Sequence, residues 1–277
     1  MLATTILLRS LVAVISGAVQ APVDGVPITQ AGESQADQEE AAALGPMVTD
    51  RPDATESTET VSPGIFQLEM GYTNSRIEEE RAHVFGEILL RVGLSELVEL
   101  RLGFNSYRWV SLPQARLVGV EDSSLGVKLR LLEGGAGFGL DRPAVALLVT
   151  TALPTGSSAF RENSLQPEVR LALSWELTER VGMGSNLAFG YLSESGARFD
   201  QFSATLTAGY AVSDRVGVYL EYFGTFPEAA DGRHRHFLNS GATFLLDRDL
   251  QLDARIGTGL NGRAKDHFLG VGTSLRW

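Results

Sequence analysis

The stretch Thr49–Tyr72, TDRPDATESTETVSPGIFQLEMGY, divides the chain. Its second half alternates strictly: Phe66, Leu68, Met70 and Tyr72 point one way, Gln67, Glu69 and Gly71 the other. Period-two alternation is the signature of a strand with two different faces. The first half, Thr49–Pro63, is rich in Thr, Ser, Asp, Glu and Pro. It cannot form a core of its own, so it is expected to lie on or inside something built by the rest.

Downstream, similar segments follow to the last residue: His83–Leu94, Leu97–Tyr107, Ser124–Leu132, Ala144–Leu153, Glu168–Thr178, Val181–Tyr191, Gln201–Val212, Val216–Phe223, Phe237–Leu246, Leu250–Leu260 and Phe268–Trp277. Their apolar residues recur at i+2, and charges such as Glu99 and Arg101 would fall all round a helix. Each is close to the roughly 9–11 residues of a tilted membrane strand. In His83–Leu94 the alternation sets Val84, Gly86, Ile88, Leu90 and Val92 against Phe85, Glu87, Leu89, Arg91 and Gly93. The facing of Ala144–Leu153 stays open, because both parities are apolar or Thr.

The connections alternate in length. Short ones, Leu94–Glu96, Thr178–Arg180, Ser213–Arg215 and Asp247–Asp249, are polar turns holding an acidic residue. Between hairpins lie longer polar stretches: Asn74–Ala82, Arg108–Asp122, Pro154–Pro167, Leu192–Asp200, Gly224–His236 and Asn261–His267. Short turns at one end and long loops at the other is the pattern of an outer-membrane barrel, with the short side periplasmic. Glu133–Pro143 breaks it by being long on the short side.

Upstream, residues 1–21 read as a secretory signal peptide with its apolar core near Leu11–Val19. Residues 22–48 read as an acidic linker. The chain of 277 residues has no cysteine, so neither a disulfide framework nor a cysteine zinc site is available. A net charge of −11 argues against a nucleic-acid partner. No run of about 18 apolar residues marks a membrane helix.

In a soluble sandwich the apolar face would be core; in a membrane barrel it meets lipid and the polar face lines the lumen. The number and length of the strands, the small residues on the polar parity and the final Leu275–Trp277 strand favour the barrel. The polar parity carries Glu69, Glu87, Arg91, Glu99, Arg101, Lys128, Arg130, Glu168, Arg170, Glu176, Glu221, Asp253, Arg255 and Arg276. These are expected to line the lumen, with Arg91 facing Glu99 and Glu87 near Arg101. They form either a structural ion-pair lattice or a charge-selective constriction. Asp50, Arg51, Asp53 and Glu56 add to this set, on a segment that folds up as a plug or lies along the periplasmic rim.

Chemistry for catalysis is missing from the pattern. His234 and His236 are too few ligands for a metal site, and Ser157 and Ser158 have no evident base. No cofactor is expected.

The opening stretch also resembles the bacterial family named for the MetA pathway of phenol degradation. The matching residues are Thr49–Asp53, Thr55–Ser57, Pro63-Gly64, then Gln67, Glu69 and Gly71; weaker matches are Leu153–Gly156 and Leu250–Asp253 followed by Gly257 and Gly259. The resemblance spans Thr49–Trp277 and implies an outer-membrane barrel passing small, including aromatic, organic solutes. The expectation is therefore an all-β transmembrane antiparallel meander barrel of about twelve strands over residues 49–277, in the bacterial outer membrane. It would act as a channel and not an enzyme. A closed structural or interaction barrel is the alternative, and an outer-membrane hydrolase a weaker one. Its expected partners are outer-membrane lipid, a small-molecule solute and the barrel-assembly machinery, the last through the C-terminal strand.

Overall fold

The computed structural model describes residues 45–77, 79–135, 137–194, 196–228, 232–261 and 266–277. The expected signal peptide and most of the acidic linker lie outside the described residues. Fourteen strands follow in order: β1 Phe66–Ile77, β2 Glu80–Ser95, β3 Val98–Gly103, β4 Tyr107–Ser111, β5 Arg116–Val120, β6 Ser123–Leu132, β7 Ala144–Leu153, β8 Gln166–Glu176, β9 Val181–Glu194, β10 Ala197–Ser213, β11 Val216–Pro227, β12 Arg235–Asp247, β13 Leu250–Gly259 and β14 His267–Arg276. All pairings are antiparallel, and no helix occurs among the described residues.

Two wall positions are interrupted strands. β3 pairs with Leu89–Ser95 of β2, and β4 with Arg81–Phe85 of the same strand. β6 and β5 occupy the next position, against β3 and β4. The backbone bridges both breaks, through Phe104 N to Ile88 O and Glu121 N to Ser106 O, at 2.9 and 2.8 Å. The fourteen strands thus fill 12 positions, closed where β1 pairs with both β2 and β14. At the seam Phe66 and Trp277 exchange two backbone hydrogen bonds of 2.9 Å, and their rings stack at 6.0 Å.

Burial is inverted relative to a soluble protein. Ile256, Leu269, Leu220 and Leu187 are each more than half exposed, while Arg91, Lys128, Glu69 and Glu99 are fully buried. Water does not tolerate so large an apolar belt around a monomer. The apolar face therefore meets lipid, and the soluble sandwich is excluded. With its closed wall, the chain is a barrel of the bacterial outer membrane. β7 settles the same way: Ala144, Ala146 and Leu148 turn inward, and Val149 outward.

Three of the four short turns share one device. A side-chain oxygen at the turn's first residue accepts the backbone N–H two residues on: Leu97 N to Ser95 Oγ, Arg180 N to Thr178 Oγ1, Arg215 N to Ser213 Oγ. In the fourth, Arg248 N donates to the adjacent Asp247 Oδ1 at 2.7 Å. Such turns bend the backbone locally without help from the core. The long Glu133–Pro143 connection packs back on β8, with Gly139 N on Glu176 O and Trp175 Nε1 on Leu140 O. Much of what reads as loop at the other end is strand. Arg108–Asp122 is mostly the β4–β5 hairpin, and β1, β2, β9 and β10 extend past the expected ends of their segments. Polar residues on both faces hide those extensions from any alternation test.

The regular alternation of His83–Leu94 fails at Gly86–Glu87. Gly71 pairs with Gly86 but Glu69 with Leu89, so β2 carries one extra residue there. Gly86 and Glu87 take positive φ values of 103° and 42°. Such a bulge switches the parity of everything beyond it. Arg91 and Gly93 face inward as expected, but Val84 and Ala82 face the lumen and Phe85 faces out. A cysteine placed at Phe85 is therefore expected to react with a membrane-phase thiol reagent, and one at Val84 is not. The chain's lack of native cysteine makes either label specific. Equal labelling from the lipid side would refute the bulge.

Candidate functional site

The N-terminal segment enters the lumen. From Met47, 7 % exposed, to Val61, 5 % exposed, it touches strands all round the wall. At its start Asp50 meets three cations: Oδ2 lies 2.5 Å from Arg101 Nη1, 2.9 Å from Lys128 Nζ and 3.3 Å from Arg91 Nη1. Arg91 is held in turn by Glu99, through two parallel bonds of 2.9 and 2.8 Å, and by Glu69 at 3.1 Å. Arg101 adds Glu99 at 2.9 Å and Glu56 at 2.7 Å. Asp50 N donates to both oxygens of Glu69. Every charge in this nexus has an opposite charge and further hydrogen bonds, the condition for burying ions at tolerable cost.

Arg51 turns across the seam toward β2 and β13, 2.8 Å from Glu87 and 3.4 Å from Asp253. Glu87 thus meets Arg51, and not Arg101 as the regular register would have it; the bulge at Gly86–Glu87 moves it. Gly71 and Gly272 lie under the Arg51 guanidinium, where any Cβ would collide with it. Gly93 does the same for the backbone of Val61 and Ser62. These small residues leave room for the segment itself.

Farther along, Arg255 Nη1 donates to Pro52 O at 3.0 Å and Arg170 Nη1 to Ala54 O at 3.2 Å. Glu168 holds Arg170 at 2.9 Å, and Glu59 receives Arg130 at 3.2 Å. The structure thus brings Glu69, Glu87, Arg91, Glu99, Arg101, Lys128, Arg130, Arg170, Asp253 and Arg255 against the segment, with Glu168 behind Arg170.

Charge counting on the polar parity includes Glu221 but passes over the neutral contacts. Asn186 accepts Glu56 N at 2.7 Å and donates to Glu56 O at 3.0 Å, a two-point grip on the backbone. Glu221 accepts Ala54 N with both oxygens at 3.0 Å and Thr55 Oγ1 at 2.6 Å, and Thr205 completes that contact. Asn186 and Thr205 sit on the inward parity, a signal that was available for polar as well as charged residues.

A cavity of about 660 Å3 opens toward the short-turn end between the segment and β8–β12, walled by Gly182, Gly184, Thr207, Gly209 and Tyr219. Another of about 500 Å3 lies at the loop end, where the 154–165 connection brings Phe160 over Arg108. Ser157, in that connection, bonds the backbone of Val120 through its hydroxyl.

Two carboxyls of the segment titrate in opposite senses. Burial pushes Asp50 up, but Arg91, Lys128 and Arg101 outweigh it and hold the carboxyl well below the usual range. Burial, reinforced by nearby Glu221, holds Asp53 well above it. A depressed carboxyl contributes stability above its unfolded value, about 4, and that stability is lost as pH falls through the folded value. A raised one contributes below about 4 and loses its contribution as pH rises through its folded value. Asp50→Ala is expected to lower stability at neutral pH by roughly 3–5 kcal/mol, because three buried cations lose their shared partner. Asp53→Asn is expected to raise it at neutral pH and to leave it unchanged in acid. The midpoint of the heat-dependent gel-mobility transition, measured against pH, reads both.

Among solved structures, an outer-membrane channel from Pseudomonas putida F1 superposes with a TM-score of 0.67 at 16% identity, covering 83% of this chain and 100% of that one. The NanC porin matches with a TM-score of 0.51 at 12% identity, over 76% of this chain and 98% of its own. At these identities the likeness is one of fold. No curated protein sequence matches. A family model described as "Putative MetA-pathway of phenol degradation" matches residues 49–277, and the chain belongs to that family.

Proposed function

We propose that the protein is an outer-membrane channel for small organic solutes, aromatic ones included, and that its N-terminal segment closes the lumen in the conformation described here. The observation that carries this reading is the segment's grip on both sides of the wall, from Arg91 and Arg101 on β2 and β3 to Asn186 and Glu221 on β9 and β11. Passage requires the segment to shift. The two cavities, about 660 and 500 Å3, are of the size that holds small molecules. The family assignment and the likeness to a solved channel agree with transport. The engagement of Ser157 with backbone instead of a base agrees with a non-enzymatic role.

The charged parity holds the segment in place first and faces solute second. The closed state is thus expected to conduct ions poorly, and opening to expose Arg91, Arg101 and Lys128 to the path. In planar bilayers, deletion of residues 46–60 is expected to raise conductance on the order of tenfold, since it removes the obstruction and bares a charged constriction. Vesicle uptake of a simple phenol should rise with it. Absence of both fluxes, with and without the segment, would overturn the channel reading in favour of a closed structural barrel.

A further inference from the structure

The lipid-facing side of the loop end is layered by register. Across β14, β1, β2, β4 and β5, one row of directly paired residues reads His267, Arg76, Arg81, Ser111, Arg116. The next row toward the membrane reads Leu269, Asn74, His83, Trp109, Val118, and the one below it Val271, Tyr72, Phe85, Tyr107, Val120. A row rich in arginine thus stands above two rows that hold His83 and Trp109, then Tyr72, Phe85 and Tyr107. Tyr72 bonds His83 at 2.8 Å, and Trp109 packs on His83 at 5.3 Å and carries Arg116 over its ring at 3.8 Å. Aromatic girdles mark the interface of a membrane barrel, so the arginine row lies at headgroup height.

Among the described residues, no carboxylate pairs with Arg76, Arg81 or Arg116 of this row. Arg76 and Arg81 are opposed across the β1–β2 ladder, an arrangement that costs stability when nothing lies between the charges. Neither makes a hydrogen bond or ion pair among the described residues. Glu80 turns inward to Arg108 at 2.8 Å, and exposed Glu79 makes no ion pair. No outward-facing position of these five strands holds a carboxylate, although the chain carries −11 overall. Across the barrel, by contrast, Arg198 lies over Tyr191 at 4.8 Å and donates to Leu165 O at 3.0 Å.

We propose that Arg76, Arg81 and Arg116 form a binding site for the phosphate groups of a phosphorylated glycolipid of the outer leaflet, seated with its acyl chains against the aromatic belt below. Neighbouring strands lie about 4.8 Å apart, so three strand steps spread the guanidinium groups over roughly 15 Å. That span suits a headgroup carrying more than one phosphate. Guanidinium binds phosphate oxygens through two parallel bonds, and a phosphate between Arg76 and Arg81 turns their repulsion into attraction. The site is independent of solute passage.

The test uses the full chain in detergent, given diphosphorylated lipid A or its dephosphorylated form, with bound lipid counted by native mass spectrometry. Wild type is expected to retain the phosphorylated form about fivefold or more over the other, and the R76Q/R81Q/R116Q variant to lose that preference. R198Q should keep it, and the triple Lys variant should fall between, since ammonium binds phosphate at a single point. Equal retention of the two lipids by wild type would overturn the proposal, and that arm needs no variant to fold. So would an unchanged preference in the triple Gln variant, a comparable loss in R198Q, or ready displacement of the lipid by inorganic phosphate.

Discussion

The structure depends on one carboxylate. Asp50 sits inside the barrel between Arg91, Arg101 and Lys128, and each of those cations would be buried and undercompensated without it. Taking ions out of water is expensive, and the cost is met when each ion finds opposite charge in good geometry. The nexus meets that condition by drawing on two sources: Glu69 and Glu99 from the wall, Asp50 and Glu56 from the inner segment. Wall and segment are therefore complementary halves of one electrostatic unit. The segment is part of the barrel's interior as a core is part of a soluble domain.

That arrangement explains the inside-out composition. Lipid asks for an apolar exterior, so the strands cannot use their hydrophobic residues to pack against the segment. What remains facing inward is the polar parity, and it holds the segment by ion pairs and backbone hydrogen bonds. The small apolar patch of Ala146, Leu148 and Ala172 is one exception, and Ala82 and Val110 are others. The grip changes character round the wall: salt bridges dominate near β1–β6, while Asn186, Thr205 and Glu221 hold backbone and hydroxyl groups near β9–β11. Thr55 and Glu56, segment residues that make these contacts, also line the larger cavity.

The bulge in β2 links these features. By inserting one residue at Gly86–Glu87 it swings Glu87 toward Arg51, and it sends His83 and Phe85 outward to join Tyr72, Trp109 and Tyr107 in the interfacial aromatic layer. A regular strand would have placed Phe85 in the lumen and left the belt incomplete.

Alternation by itself determined the strand class, the number of wall positions and which charges share a face, because period two is a local property of the pleat. It identified Arg91 and Glu99 as neighbours, since a short turn ties them. It did not determine that Thr49–Pro63 lies within the lumen, that Glu87 reaches Arg51, or that Arg51 meets Asp253 from 202 positions away. Those contacts arise from closure of the sheet, which brings distant strands round one axis. The apparent loop of Arg108–Asp122 became a hairpin because backbone pairing with β2, not side-chain pattern, extends a strand beyond the bilayer. The orientation of the two faces was likewise decided by closure. Only a closed wall leaves no second layer to cover the apolar side, and that side then meets lipid.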